Sequence, residues 1–348
     1  MGTLWFCIVA VMLAMYVVLD GFDLGAGIVH LIVARTDAER RMVLGSIGPV
    51  WDGNEVWLIA GGGTLYFAFP ALYASSFSGF YLPLMIVLWL LTLRGVAVEF
   101  RNHTSGAVWA PFWDAVFALA SLLLAVFFGA ALGNVVRGVP LDAGGRFFEP
   151  LWTNFLPGPN AGVLDWYTIL VGVAALAALT LHGALWVALK TDGEVTLRAQ
   201  RLAKRLVWMV AALTVAITVA SFHVQPALAA HFSGSSWGAV FPALAILGLA
   251  GIIWFSRRGR ERNAFLASCA YLLGMLTSAA FSLYPYVLPA STDPTFGLTV
   301  HNAMAPMYGL RIGLIWWIIG MTLATGYTVY AYRGFAGKVK AGAHDEGY

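Results

Sequence analysis

Ionisable side chains interrupt stretches of this chain that are otherwise apolar. Asp20 and Asp23 break the run Val17-Val18-Leu19-Asp20-Gly21-Phe22-Asp23-Leu24-Gly25. Asp52 and Glu55 fall in Pro49-Val50-Trp51-Asp52-Gly53-Asn54-Glu55-Val56-Trp57-Leu58, and Arg94, Glu99 and Arg101 close a third such run. Both acid pairs have i, i+3 spacing, which places the two carboxylates on one helix face. Carboxylates withdrawn from water can pass protons, bind a cation or pair with arginine. Asp23, Asp52, Asp20 and Glu55 are therefore candidates for a proton path or cation site. Asn54, Arg94, Glu99, Arg101, Trp51 and Trp57 would support them. A salt-bridge network that only fixes helix order competes with that reading.

The elements that carry these groups must sit in lipid. Of the 348 residues 60% are hydrophobic and 11% charged, and mean hydropathy is +0.79. Soluble domains carry about 25% charged residues. A span needs about 20 mostly apolar residues, and the sequence predicts nine, over roughly 4–34, 48–72, 77–101, 113–136, 163–189, 206–230, 238–256, 263–288 and 309–333. The whole chain, 1–348, reads as a single all-α, polytopic membrane domain. With the N-terminus outside, every Lys and Arg except Arg137, Arg146 and Arg311 falls on the inner side. That alternation follows the positive-inside rule and predicts an N-out, C-in topology. It also puts Asp20, Asp23, Asp52, Glu55, Arg94, Glu99 and Arg101 in the cytoplasmic half, where short connections make their helices neighbours. The long loops, 137–162 and 289–308, lie outside. Glycines 21, 25, 27 and 61–63 would let helices, or a cofactor edge, approach closely.

Other chemistry is missing. A net charge of +3 gives no support to a nucleic-acid partner. Cys7 and Cys269 lie in apolar stretches and read as inert buried thiols. Of the histidines, His182 and His223 are read as lying well inside helices, and no spacing there suits haem or metal ligation. There is no phosphate-binding glycine loop or nucleophile elbow. The N-terminal segment lacks the basic residues of a signal peptide and reads as a retained helix. A chain of this kind is expected to work within a complex. A proton- or cation-coupled secondary transporter is the rival from another class, and a structural scaffold is the second. Transport would call for paired broken helices.

The blocks around Asp20–Asp23 and Trp51–Leu58 resemble subunit II of cytochrome bd-type quinol oxidases. So do Phe69-Pro70-Ala71-Leu72-Tyr73-Ala74, Gly79-Phe80-Tyr81, Arg94-Gly95, Tyr284-Pro285-Tyr286-Val287-Leu288-Pro289 and Leu298-Thr299-Val300-His301-Asn302-Ala303. The resemblance implies nine helices in two four-helix bundles plus one peripheral helix. It implies a respiratory complex of the bacterial inner membrane that oxidises quinol and reduces O2 to water. Haems b and d, or a variant, would be held by the larger subunit I, and none by this chain. Asp23 and Asp52 match the family's membrane acids in these blocks. A quinone bound here and a small single-helix subunit stay open, alongside membrane lipid and quinol as partners.

Overall fold

The computed structural model describes residues 1–104 and 107–339; Lys340, the last of the inner cations, lies outside them. In hydrocarbon a backbone must satisfy its own polar groups, which favours helix throughout. Helices run in the order α1 (Gly2–Val33), α2 (Asp37–Ile47), α3 (Trp51–Ala68), α4 (Pro70–Gly79), α5 (Tyr81–Phe100), α6 (Trp109–Arg137), α7 (Trp166–Lys190), α8 (Gly193–Val224), α9 (Ala227–Gly234), α10 (Val240–Arg257), α11 (Glu261–Leu283) and α12 (Met307–Gly334). A small antiparallel pair, β1 (Tyr286–Leu288) and β2 (Leu298–Thr299), lies in the loop before α12. Among the described residues eight helices are long and apolar enough to cross a membrane, and there are nine candidate spans when the bent pair α3–α4 is counted as one.

Three differences from the sequence reading have local causes. The second predicted span is not one rod: it breaks at Phe69 and turns by 119° into α4. Pro70 lacks an N–H and disfavours helical geometry in the residue before it, and Phe69 sits outside the helical region at φ −133°, ψ 66°. The Ala68 carbonyl freed at the break accepts from the Ala305 N–H, 2.9 Å away. The third span accordingly starts at Tyr81 rather than 77. Residues 37–47, expected as loop, form α2 behind a capping box in which Thr36 and Glu39 bond each other's backbone N–H. Finally, α8 begins thirteen residues before the predicted 206, because its first turns are an amphipathic, Arg-rich extension of the span.

Helix α7 is the most enclosed element and packs on α1, α6, α8 and α11. Its approach to α1 depends on two glycines. A Cβ at Gly25 would collide with the Leu179 carbonyl and the Gly183 backbone, and a Cβ at Gly183 with the Gly25 backbone. Phe22 stacks on Trp186 with ring centroids 4.0 Å apart beside this contact. Helix α12 is peripheral: Leu310 is its single buried residue.

The connections sort into two ends. At one end Arg101 reaches Asp37, Arg198 bonds the Val33 carbonyl, and Lys338 meets Asp192 at 3.3 Å and Glu261 at 3.2 Å. At this basic end α2 is held by Glu39, which Arg198 and the backbone N–H groups of Arg35 and Thr36 keep at a pKa of about 2. At the other end buried Arg137 is clamped by Asp165 and by Glu149, 2.6 Å away, while Asn134 accepts from it at 2.7 Å. Burial pushes the Glu149 carboxyl up to about 7, against the pull of Arg137 and with the help of Asp165.

Because Glu149 takes up protons more tightly folded than unfolded, stability should fall as pH rises from above 4.5 to about 7 and level off beyond. The upper bound is on the order of 3 kcal/mol. Thermal unfolding between pH 5 and pH 8 should show this slope, and Glu149→Gln should flatten it.

Candidate functional site

Three helices bring the charged core together. Arg94 on α5 is fully buried and donates through Nη1 to Asp20 Oδ1 on α1 at 2.7 Å and through Nη2 to Glu55 Oε2 on α3 at 2.9 Å. Asp23, one turn beyond Asp20, is also buried and accepts from Asn54 Nδ2 at 2.7 Å. Tyr332 of α12 donates to Asn54 Oδ1 at 2.8 Å, which fixes the amide so that its N–H faces Asp23. Asp20 Oδ2, Asp23 Oδ1, Arg94 Nε and the Tyr16 hydroxyl are buried and have no hydrogen-bond partner among the described residues. Glu55 is the member open to the outside of the chain, its side chain 22% exposed.

The remaining candidates are placed differently. Asp52 is exposed at the start of α3 and makes no hydrogen bond or ion pair among the described residues. Glu99 is exposed, and only its carbonyl is engaged, by His103. Trp51 packs its ring edge over Gly95, and Trp57 is half-buried. Arg101 belongs to a second layer at the basic end of the bundle. Its Nε donates to buried Asp114 at 2.6 Å and its Nη2 to Asp37 at 2.7 Å, while Arg40 and His30 complete the shell of Asp114 at 3.1 and 2.7 Å.

Several of these partners escaped the sequence reading. Asp114 sits within the fourth predicted span, and a carboxylate in that apolar run is the signal that marks it. His30, not His223, is the second histidine inside the bundle; His223 is exposed near the end of α8. Tyr16 stands one helical turn before Asp20 and could have been read from that spacing. Nothing local marks Tyr332, which lies far along the chain from Asn54.

Haem iron needs free axial ligands. His182, fully buried, has both ring nitrogens engaged, by Ser268 Oγ at 2.7 Å and the Val18 carbonyl at 3.0 Å. Among the described residues no group of three or more His, Cys, Asp or Glu is placed to hold a metal ion. An apolar cavity of about 460 Å³ adjoins the charged core at Tyr16 and Gly21 and runs to Leu288 between α1, α6, α7 and α11.

The fold and site define a polytopic helical membrane protein whose charged core lies inside the bundle. The family model for cytochrome bd terminal oxidase subunit II matches residues 1–335, and the chain belongs to that family. It is 31% identical to the cytochrome bd ubiquinol oxidase subunit 2 of Bacillus subtilis, over 97% of this chain and 96% of that protein. It is 30% identical to the probable cytochrome oxidase subunit 2 of Haemophilus influenzae, over 99% and 96%. The solved structure of the bd oxidase from Geobacillus thermodenitrificans has the same fold, with a TM-score of 0.74 over 96% of this chain and 98% of that one at 18% identity. The chain is thus a subunit of an oxidoreductase complex, and the transporter reading has no support among these relatives.

Replacing Arg94 by Met should leave Asp20 and Glu55 buried without their cation, a loss of about 3–5 kcal/mol. The expected outcome is failure of the complex to accumulate, or a sharply lowered unfolding midpoint. Neutralising all three groups (Asp20→Asn, Glu55→Gln, Arg94→Met) should restore much of it.

Proposed function

We propose that this chain acts as the subunit II of a quinol:O2 oxidoreductase, supports the haem-bearing subunit I, and supplies protons toward it through Asp23, Asp20 and Glu55. Reduction of O2 to water consumes protons, and the partner's haems need a route from an aqueous phase. The observation that carries the reading is stoichiometric: three carboxylates face one guanidinium. A buried cluster with such an excess of acid is stable when it binds protons, and groups that bind protons reversibly can relay them. The four unpartnered polar atoms favour the same reading, since buried polar groups take water when protein offers no partner. Glu55 and exposed Asp52 provide the way out of this chain, toward subunit I.

The basic end is proposed to face the cytoplasm of a bacterial inner membrane, since cations retained there follow the positive-inside rule. The helices would form two four-helix bundles with α12 outside them. The apolar cavity suits the tail of a quinone. A small single-helix subunit, if present, would cover part of the exposed apolar surface.

Asp23→Asn should lower quinol oxidase turnover by about a hundredfold, the scale of a lost proton-transfer group, while the haem absorption spectrum of the assembled complex stays intact. Asp52→Asn should lower it less. Unchanged turnover in Asp23→Asn would remove the proton route; loss of the haem spectrum would mark the acids as structural. Tyr332→Phe should keep assembly and shift the pH profile of turnover, because the Asn54 amide is then free to turn away from Asp23.

A further inference from the structure

At the basic end, the first turns of α8 and the α10–α11 turn carry a cluster of cations. Arg201, Lys204, Arg205, Arg257, Arg258, Arg260 and Arg262 are all exposed. Among the described residues Lys204, Arg205, Arg257, Arg260 and Arg262 have no acidic partner. Arg258 lies over the Trp254 ring, 4.1 Å from its centroid. Arg201 has only a long contact of 3.9 Å to Glu194. Glu261, beside Arg260, is already engaged by Lys338 at 3.2 Å and Gln200 at 2.8 Å.

The two segments meet. A concavity of about 20 Å³ between them, room for one water, has Leu185, Ala188 and Ala203 in its wall with Lys204, Arg260 and Glu261. The Ser256 hydroxyl there is buried and without a partner. Depth is marked by two exposed tryptophans: Trp208 stands one turn inward of Lys204 and Arg205, and Trp254 one turn inward of Arg257 and Arg258. One turn is about 5.4 Å. Tryptophan settles at the headgroup level of a bilayer, so the cations and Ser256 lie just outside it, where phospholipid phosphates are.

We propose that the exposed cations around the mouth of this concavity bind the headgroup of an anionic phospholipid, with Lys204 and Arg260 on the phosphate and Trp208 and Trp254 flanking the glycerol and upper acyl chains. Charge complementarity favours an anionic lipid over a zwitterionic one. The flanking spans, apolar on their outer faces, favour a membrane lipid over a free anion. Basic pockets between helices at the membrane surface are suited to such headgroups, and each cation strengthens attachment about fivefold.

The test uses the purified, delipidated complex with its haem subunit. Its thermal unfolding midpoint is followed while phosphatidylglycerol is added, then phosphatidylcholine, then inorganic phosphate. Phosphatidylglycerol should raise the midpoint at low concentration and the other two should not. Lys204→Gln and Arg260→Gln should each weaken the apparent affinity about fivefold. Arg333→Gln, which removes an exposed cation from the same end, should not. The site is overturned if Arg333→Gln has the same effect as Lys204→Gln, which means diffuse attraction, or if phosphatidylcholine serves equally. An equal response to inorganic phosphate would make it a free-anion site and overturn the lipid assignment. Native mass spectrometry gives an independent reading: the wild-type complex should retain the anionic lipid and the Lys204→Gln/Arg260→Gln variant should lose it.

Discussion

Burying a guanidinium in the interior of a membrane bundle is costly unless its charge and its N–H groups are met at the right depth. Arg94 therefore ties three helices into one register. Asp20 on α1 and Glu55 on α3 must arrive at the level of α5 within hydrogen-bonding distance. Seven residues further along α5, Arg101 repeats the device with Asp114 of α6 and Asp37 of α2. Two charged layers, about 10 Å apart along α5, thus fix where α1, α2, α3, α5 and α6 sit relative to one another. Apolar packing alone would leave sliding freedom between such helices, because lipid solvates a leucine as well as another leucine does. The glycine contact between α1 and α7 then brings the second half of the chain onto this registered half.

Hydropathy and charge alternation made the spans legible from sequence, since a 30 Å apolar layer imposes a length and the flanking cations impose ends. What they missed has a common cause. The bend after Ala68 depends on a backbone effect of Pro70 that costs the apolar run nothing. Helix α2 has too few apolar residues to register as a span, and only the Thr36–Glu39 box marked it. The i, i+3 rule showed that Asp52 and Glu55 share a face but could not say which residue of the pair turns inward. The structure takes Glu55 to Arg94 and leaves Asp52 exposed. Partners distant in sequence, such as Tyr332 with Asn54 and His30 with Asp114, carry no local signature. The acids of the first two spans were readable as membrane-embedded charges; their hydrogen-bond order was not.

The two layers differ in their balance of acids and cations. Around Asp114 the acids Asp114 and Asp37 meet Arg40, Arg41 and Arg101, with His30 in addition. Every carboxylate there has a cation, and such a layer has no reason to exchange protons. Around Asp20 the ratio is inverted, with Asp20, Asp23 and Glu55 against Arg94 alone. Asp23 is held only by a neutral amide, and that amide is itself oriented by a tyrosine from the loosely packed α12. A network meant only to fasten helices gains nothing from an unmatched acid, because each one adds a desolvation cost without a Coulombic return. Retaining it at the meeting point of α1, α3 and α12, next to the partly open Glu55, fits the proton route proposed above.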